Sequence, residues 1–185
     1  MARTESNMLP LGTNAPDFEL LDTLSGKFVS LQHLKSDTAT VIMFICNHCP
    51  FVLHIKDELA QLALDYQPLG VHFAAISAND VVSHPQDGPD QMEQFAIEND
   101  FTFPYLYDES QTVAKDYQAA CTPDFYIFNN SLLCVYRGQL DDSRPGNDQP
   151  VTGDDVRATL NALLAKQPVN QQQKPSLGCN IKWKS

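Results

Sequence analysis

The chain has 185 residues, of which 43% are apolar and 19% charged, and its net charge is −11 with an isoelectric point of about 4.6. This is the balance of a soluble folded domain with room for one sizeable core, not of a disordered or fibrous chain. Basic residues form no cluster, which excludes nucleic acid and anionic membrane surfaces as expected partners.

No apolar run reaches the length of a membrane-spanning helix, so no membrane association is expected. The opening stretch MARTESNMLPLGTNAPDF has no apolar h-region and does not read as a signal peptide, so the expected location is cytoplasmic. Cytoplasmic thiols are kept reduced, and paired cysteines there are more often catalytic or metal-binding than structural. The five cysteines are Cys46, Cys49, Cys121, Cys134 and Cys179. An odd count with one close pair does not fit a disulfide framework.

In chain order, about the first fifteen residues are predicted to be irregular. DFELLDTLSGKFVSLQHL reads as two short strands around a Ser25-Gly26 turn, then a brief helical turn. TATVIMFIC is apolar and β-branched, the pattern of a central strand covered on both faces. A helix follows with Pro50 in its first turn, where a missing N–H costs nothing. Val52, Ile55, Leu59, Leu62, Ala63 and Tyr66 recur along it at three- and four-residue steps, and Pro68-Leu69-Gly70 ends it. VHFAAIS predicts a second buried strand. The polar stretch from Asn79 to Gly88 predicts a loop, and a helix opens at Pro89 with Met92, Phe95 and Ala96 on one side. FPYLYD predicts a short strand, and SQTVAKDY a short helix capped by Ser110. DFYIF and LLCVY predict an antiparallel hairpin around Asn129-Asn130-Ser131. A last helix is expected from Thr152, with Asp155 completing a capping box and Val156, Leu160, Leu163 and Leu164 facing the core. Alternating elements closed by a hairpin and helix define an α/β fold, a mixed sheet with helices on both faces. One domain, residues 1–166, is expected, followed by a tail, residues 167–185. QPVNQQQKPS is extended or mobile by composition, yet LGCNIKWKS holds the only Trp and is expected to dock back on the body.

The chemistry concentrates in FICNHCPFV. As a zinc site, C-x2-C supplies two ligands where a structural site needs four, and neither a second C-x2-C nor an H-x3-H exists. His54, one helical turn past Pro50, is the nearest further ligand type. As a redox dithiol the pair has better physics. Cys46 sits where a buried strand gives way to a helix, near the positive end of the helix dipole, which lowers a thiol's pKa. Each unit of depression corresponds to about 1.4 kcal/mol. His48 can donate a hydrogen bond, or a charge when protonated, to the Cys46 sulfur. Cys49, more shielded, would serve as the resolving thiol.

These segments resemble the thioredoxin superfamily, and within it the peroxiredoxin-like branch, the alkyl hydroperoxide reductase C/thiol-specific antioxidant group. GTNAPDFELLDTLSGKFVSL is similar to that branch's amino-terminal signature. VIMFICNHCPFV occupies the active-site position. YLYDESQTVAKDYQAACTPDFYIFNN resembles the segment entering a cis-proline loop and closing hairpin, and VYRGQLDD resembles the branch's strand and loop beyond it. The likeness runs from about Gly12 to Lys166, and PSLGCNIKWK looks like the ending of a subfamily with CxxC centres and a terminal cysteine. The resemblance implies a thioredoxin-like fold with an N-terminal β-hairpin and an extended C-terminal tail. It implies that Cys46 attacks and Cys49 resolves, and that Thr122 and Pro123 form a cis-proline loop facing the dithiol and binding substrate. No metal or organic cofactor is expected. The partners it implies are a disulfide-containing protein or a small thiol or peroxide substrate, and a reductant such as thioredoxin.

The sequence also departs from both family patterns. Thioredoxins carry a buried Asp six residues before the first cysteine, and here that position is Thr40. Peroxiredoxins carry a Thr three residues before a peroxidatic Cys-Pro. Cys49-Pro50 keeps the second feature, but Cys46 holds the Thr place, and Arg137 is the candidate for the peroxide-binding arginine. Cys121, beside Thr122-Pro123, is a candidate third thiol, and Cys179 a candidate resolving thiol if the tail reaches the site. Cys134, in an apolar strand, reads as packing. Three readings stand: a Cys46/Cys49 oxidoreductase, a thiol peroxidase centred on Cys49 or Cys46, and a zinc- or partner-binding module without redox chemistry.

Overall fold

The computed structural model describes residues 3–185. Strand β4 (Ala39–Phe44) is buried along its whole length, as its unbroken apolar run requires. It lies between the parallel strand β5 (Val71–Ser77) and the antiparallel strand β8 (Asp124–Asn129). The sheet extends on one side through β6 (Tyr105–Tyr107), β2 (Glu19–Asp22) and β3 (Phe28–Ser30), and on the other to β9 (Cys134–Gly138), giving the order β3-β2-β6-β5-β4-β8-β9.

Alternation along β4 divides the interior in two. Val41, Met43 and Ile45 join Phe125 and Ile127 in a core covered by α2 (Pro50–Tyr66), α3 (Pro89–Glu98) and α5 (Asp154–Leu164). Ile42 and Phe44 join Tyr126 and Phe128 on the opposite face, beneath α1 (Leu31–Leu34) and α4 (Thr112–Asp116). Tyr117 fills the middle of that second core with its ring against Phe18, Phe44, Tyr126 and Phe128, and its hydroxyl donates to the Pro16 carbonyl at 2.9 Å. The mixed sheet with helices on both faces is the expected thioredoxin-like α/β architecture.

A second sheet departs from the expectation of an irregular start, of which residues 1 and 2 lie outside the described residues. β1 (Arg3–Glu5), β10 (Leu177–Asn180) and β7 (Cys121–Thr122) form three antiparallel strands in the order β1-β10-β7. The start is a strand because the chain's far end pairs with it, which no local pattern announces. Two helix starts also differ from their expected caps. Gln111, with φ of 62°, takes the cap position of α4, while the Ser110 hydroxyl accepts from Thr112 N–H at 3.2 Å. At α5 the cap residue is Gly153, and Asp141 from the preceding loop accepts from the N–H groups of Thr152 and Gly153, both at 2.7 Å. Asp155 instead accepts from Gln139 Nε2 at 2.7 Å, so no capping box forms. Among the described residues no helix is long and apolar enough to cross a membrane.

Candidate active site

β4 ends at Phe44, and Ile45 N–H donates to Ile76 O at 3.0 Å before the chain turns the corner into α2. Cys49 is the N-cap of α2, and Pro50 starts the helix. The helix's unpaired N–H groups therefore point at the Cys49 end of the motif, and Cys46 lies further back in the corner. Both cysteines are buried. Cys46 Sγ stands 3.4 Å from Thr122 Oγ1, and Cys49 Sγ stands 3.2 Å from the Thr122 carbonyl oxygen. The Thr122-Pro123 peptide is cis. Thr122 thus touches both sulfurs, one through its hydroxyl and one through its carbonyl.

Cys179, on β10, brings a third sulfur to within 2.7 Å of Cys49 Sγ. Cys121 is one residue along β7 from Thr122, so its side chain leaves on the other face. Its Sγ lies 3.8 Å from the Pro123 carbonyl, and burial pushes its thiol far above the ordinary value. Cys134 packs in the second core, and burial pushes it up to about 11. Arg137 donates from Nη1 to Gln173 Oε1 at 2.9 Å, and Arg144 donates to the carbonyls of Asp141 and Ser143. His54 Nε2 meets Ser143 Oγ at 2.5 Å.

Sequence reasoning missed Asp87. It is fully buried, and its Oδ1 accepts from Asn47 N–H at 2.9 Å while its Oδ2 accepts from Asn79 Nδ2 at 2.8 Å. His48 Nδ1 lies 2.7 Å from the same Oδ2, at ion-pair distance but without the alignment of a hydrogen bond. The His48 ring stacks on His84 with centroids 5.2 Å apart. Among the described residues no hydrogen bond joins His48 to Cys46. Asp87 comes from a polar loop 38 positions past Cys49, and only the fold carries it to the motif. Cys46 Sγ, His48 Nδ1 and Asp87 Oδ2 lie within 4.8 Å of one another and form a three-donor set. The 2.7 Å between nitrogen and oxygen is closer than the roughly 3.3 Å between two ligands on a tetrahedral zinc, so this arrangement does not present a preformed zinc site.

The surroundings divide the two thiols. A hydrogen bond from Cys46 lowers the Cys49 thiol most; burial opposes it, and the Cys179 thiol, Val52 N–H and Thr122 lower it further. Cys46 is raised by that same bond to Cys49, then by burial and by the Asp87 carboxylate. The N-cap position of Cys49 and the carboxylate beside Cys46 both favour the charged form at Cys49 over Cys46.

Asp124 directly follows the loop. It is fully buried, and desolvation pushes its carboxyl up to about 8, against the Tyr126 hydroxyl, which donates to Oδ2 at 3.0 Å, Phe125 N–H and the charge of Arg137. A native value above the unfolded value of about 3.9 gives stability that is complete below the unfolded value and lost as pH rises through about 8. Asp124→Asn keeps an acceptor for Tyr126 and cannot ionise. The variant is expected to lose less stability than the parent between about pH 6 and pH 9. Urea unfolding across that range checks it, and parallel pH profiles for the two proteins would refute it.

The seven-stranded mixed sheet, the flanking helices and two cysteines at a strand-to-helix corner beside a cis-proline loop define a thioredoxin-superfamily, peroxiredoxin-like protein. Residues 11–137 match the AhpC/TSA family model, and the chain belongs to the AhpC/TSA family. An uncharacterized conserved protein from Geobacillus kaustophilus is 60% identical over 100% of this chain and 97% of its own, with a TM-score of 0.98. A hypothetical protein from Sinorhizobium meliloti is 44% identical over 98% of this chain and 99% of its own, with a TM-score of 0.96. The thioredoxin domain of a thiol-disulfide oxidoreductase from Bacteroides vulgatus has the same fold at 18% identity, covering 72% of this chain and 91% of its own, with a TM-score of 0.61. Comparison with curated proteins gave no match.

Proposed function

We propose that the protein is a thiol–disulfide oxidoreductase working through the Cys46/Cys49 dithiol. Membership of the AhpC/TSA family and the thioredoxin-like fold support redox chemistry of the thioredoxin type. The observation that carries the finer reading is the pair of buried sulfurs at the α2 N-terminus, both in contact with Thr122. The Cys49 thiolate attacks one sulfur of a substrate disulfide and expels the other as a thiolate. Cys46 then gives up its proton, attacks Cys49 Sγ and releases the reduced substrate, leaving a Cys46–Cys49 disulfide. A dithiol donor such as thioredoxin returns the pair to the reduced state. The roles are the reverse of those implied by family resemblance, because Cys49 rather than Cys46 caps the helix and Asp87 stands beside Cys46. His48, in this scheme, is held by Asp87 and shapes the corner. A reducing cytoplasm would keep the pair as thiols between turnovers, and the substrate class is a disulfide in a protein or a small molecule.

Peroxide reduction is the second reading, supported by the N-cap position of Cys49 immediately before Pro50. The contacts of Arg137 and Arg144 with Gln173, Asp141 and Ser143 argue against a guanidinium at the sulfurs. Mass spectrometry after treatment with a disulfide and, separately, with hydrogen peroxide, each cysteine being replaced in turn, tests both. A Cys46–Cys49 disulfide formed by the disulfide substrate is the expected result. Sulfenic acid on Cys49, formed by peroxide at rates far above those of free cysteine, would transfer the assignment to the peroxidase. Inertness of both thiols would sink both readings.

A further inference from the structure

The tail closes over the dithiol as a strand. β10 lies antiparallel to β7 with Cys179 opposite Thr122 and Asn180 opposite Cys121, and Ile181 N–H continues the ladder to Ala120 O at 3.1 Å. Gly178 approaches so closely that a Cβ there would stand 1.9 Å from the Thr122 carbonyl oxygen, which only glycine permits. Past the strand, Lys182 N–H donates to Asn79 Oδ1 and Asp80 N–H donates to Lys182 O, both at 2.8 Å, and Ile181 is buried. Asn79 also holds Asp87, so the tail is tied into the network that fixes the Cys46 corner. These contacts hold the Cys179 sulfur 2.7 Å from Cys49, and a cycle of Cys46 and Cys49 alone leaves it unused.

We propose that Cys179 is the third cysteine of the exchange reaction, moving the disulfide from Cys46–Cys49 to Cys49–Cys179. The proposal rests on the dithiol reading. Cys179 releases its proton and its sulfur attacks Cys49 Sγ. The Cys49–Cys179 bond forms as the Cys46–Cys49 bond breaks, and the electron pair leaves on Cys46, which takes up a proton. Nothing is oxidised or reduced overall; the oxidising equivalent passes from the corner to the tail. A thiol held in place competes at an effective concentration far above that of any dissolved thiol. Oxidation itself prepares the step. Burial, and then the hydrogen bond to the Cys49 thiolate, raise the Cys179 thiol, and the second cause disappears once Cys49 is in a disulfide. In a mixed disulfide on Cys49, the same attack would release the substrate without Cys46.

The test oxidises the full chain with hydroxyethyl disulfide, quenches it in acid and maps disulfides by mass spectrometry of non-reduced peptides. The parent is expected to yield both Cys46–Cys49 and Cys49–Cys179 peptides. In Cys46→Ser the Cys49–Cys179 bond forms, the two thiols giving two electrons and two protons to the added disulfide, which departs as two thiols. In Cys179→Ser only Cys46–Cys49 remains. The hydroxyethyl adduct on Cys49 is expected to decay at least about tenfold faster in Cys46→Ser than in the Cys46→Ser/Cys179→Ser double variant. Equal adduct lifetimes, or no Cys49–Cys179 peptide in Cys46→Ser while the parent still forms Cys46–Cys49, would overturn the proposal and leave the dithiol reading standing. Absence of every Cys49 disulfide from the parent would overturn both. The mapping in Cys46→Ser stands alone should the Cys179 variants fail to fold.

Discussion

Cys49→Ser is expected to lower disulfide reduction by at least about a thousandfold, the scale on which removal of a nucleophile acts. It is also expected to abolish alkylation of the protein by iodoacetamide below neutral pH. The physical cause is the division of the two thiols. Cys49 caps α2 and gathers hydrogen bonds from Cys46, Cys179 and Val52 N–H, which hold its pKa below the ordinary thiol value. Thiolate is therefore present as pH falls below the usual range, and reactivity is lost only when pH passes the depressed value. With Cys49 gone, Cys46 loses the hydrogen bond to Cys49 that raises it most, but burial and the Asp87 carboxylate still hold its thiol above the ordinary value. Cys46→Ser retains a hydroxyl that still donates to Cys49, so low-pH alkylation survives. With Cys179 also replaced, so that no second thiol releases the adduct, this variant accumulates mixed disulfides. The pH profile of alkylation, read by peptide mass spectrometry, decides the matter: low-pH reactivity that follows Cys46 instead would return the attacking role to Cys46.

The second large effect is expected at Asp87. Asp87→Ala removes the acceptor of Asn47 N–H and Asn79 Nδ2 and the carboxylate that lies 2.7 Å from His48 Nδ1. Buried donors left without partners make the loss about 2–4 kcal/mol of stability, measured by urea unfolding. Asp87→Asn keeps one acceptor and the volume and is expected to lose less. Both variants also remove a negative charge that raises Cys46. In a Cys49→Ser background, where Cys46 is alkylated at the corner alone, the pH at which Cys46 reacts is expected to fall on substitution of Asp87. A loss of stability with no movement of that profile would reduce Asp87 to a purely structural anchor.

What the sequence could determine was whatever lies in local periodicity and adjacency. The apolar β-branched run of β4, the three- and four-residue repeat of α2 and the turn chemistry around Asn129 each contain their own element, because burial on one or both faces writes a pattern into neighbouring residues. The position of Cys46 and Cys49 between a strand and a helix comes from the same reading. The tertiary structure decided what depends on groups distant in the chain. RTE and LGCN carry no strand pattern; they are strands because their backbone groups find partners at the far end of the molecule and on β7. Asp141, a dozen residues upstream in the loop that leads into α5, takes the place of the expected capping box. Asp87 and Cys179 reach the dithiol from 38 and 130 residues past Cys49, and the electrostatic division between the two thiols depends on them. Charge and hydrogen bonding act through space over a few ångströms, and the sequence records distance only along the chain.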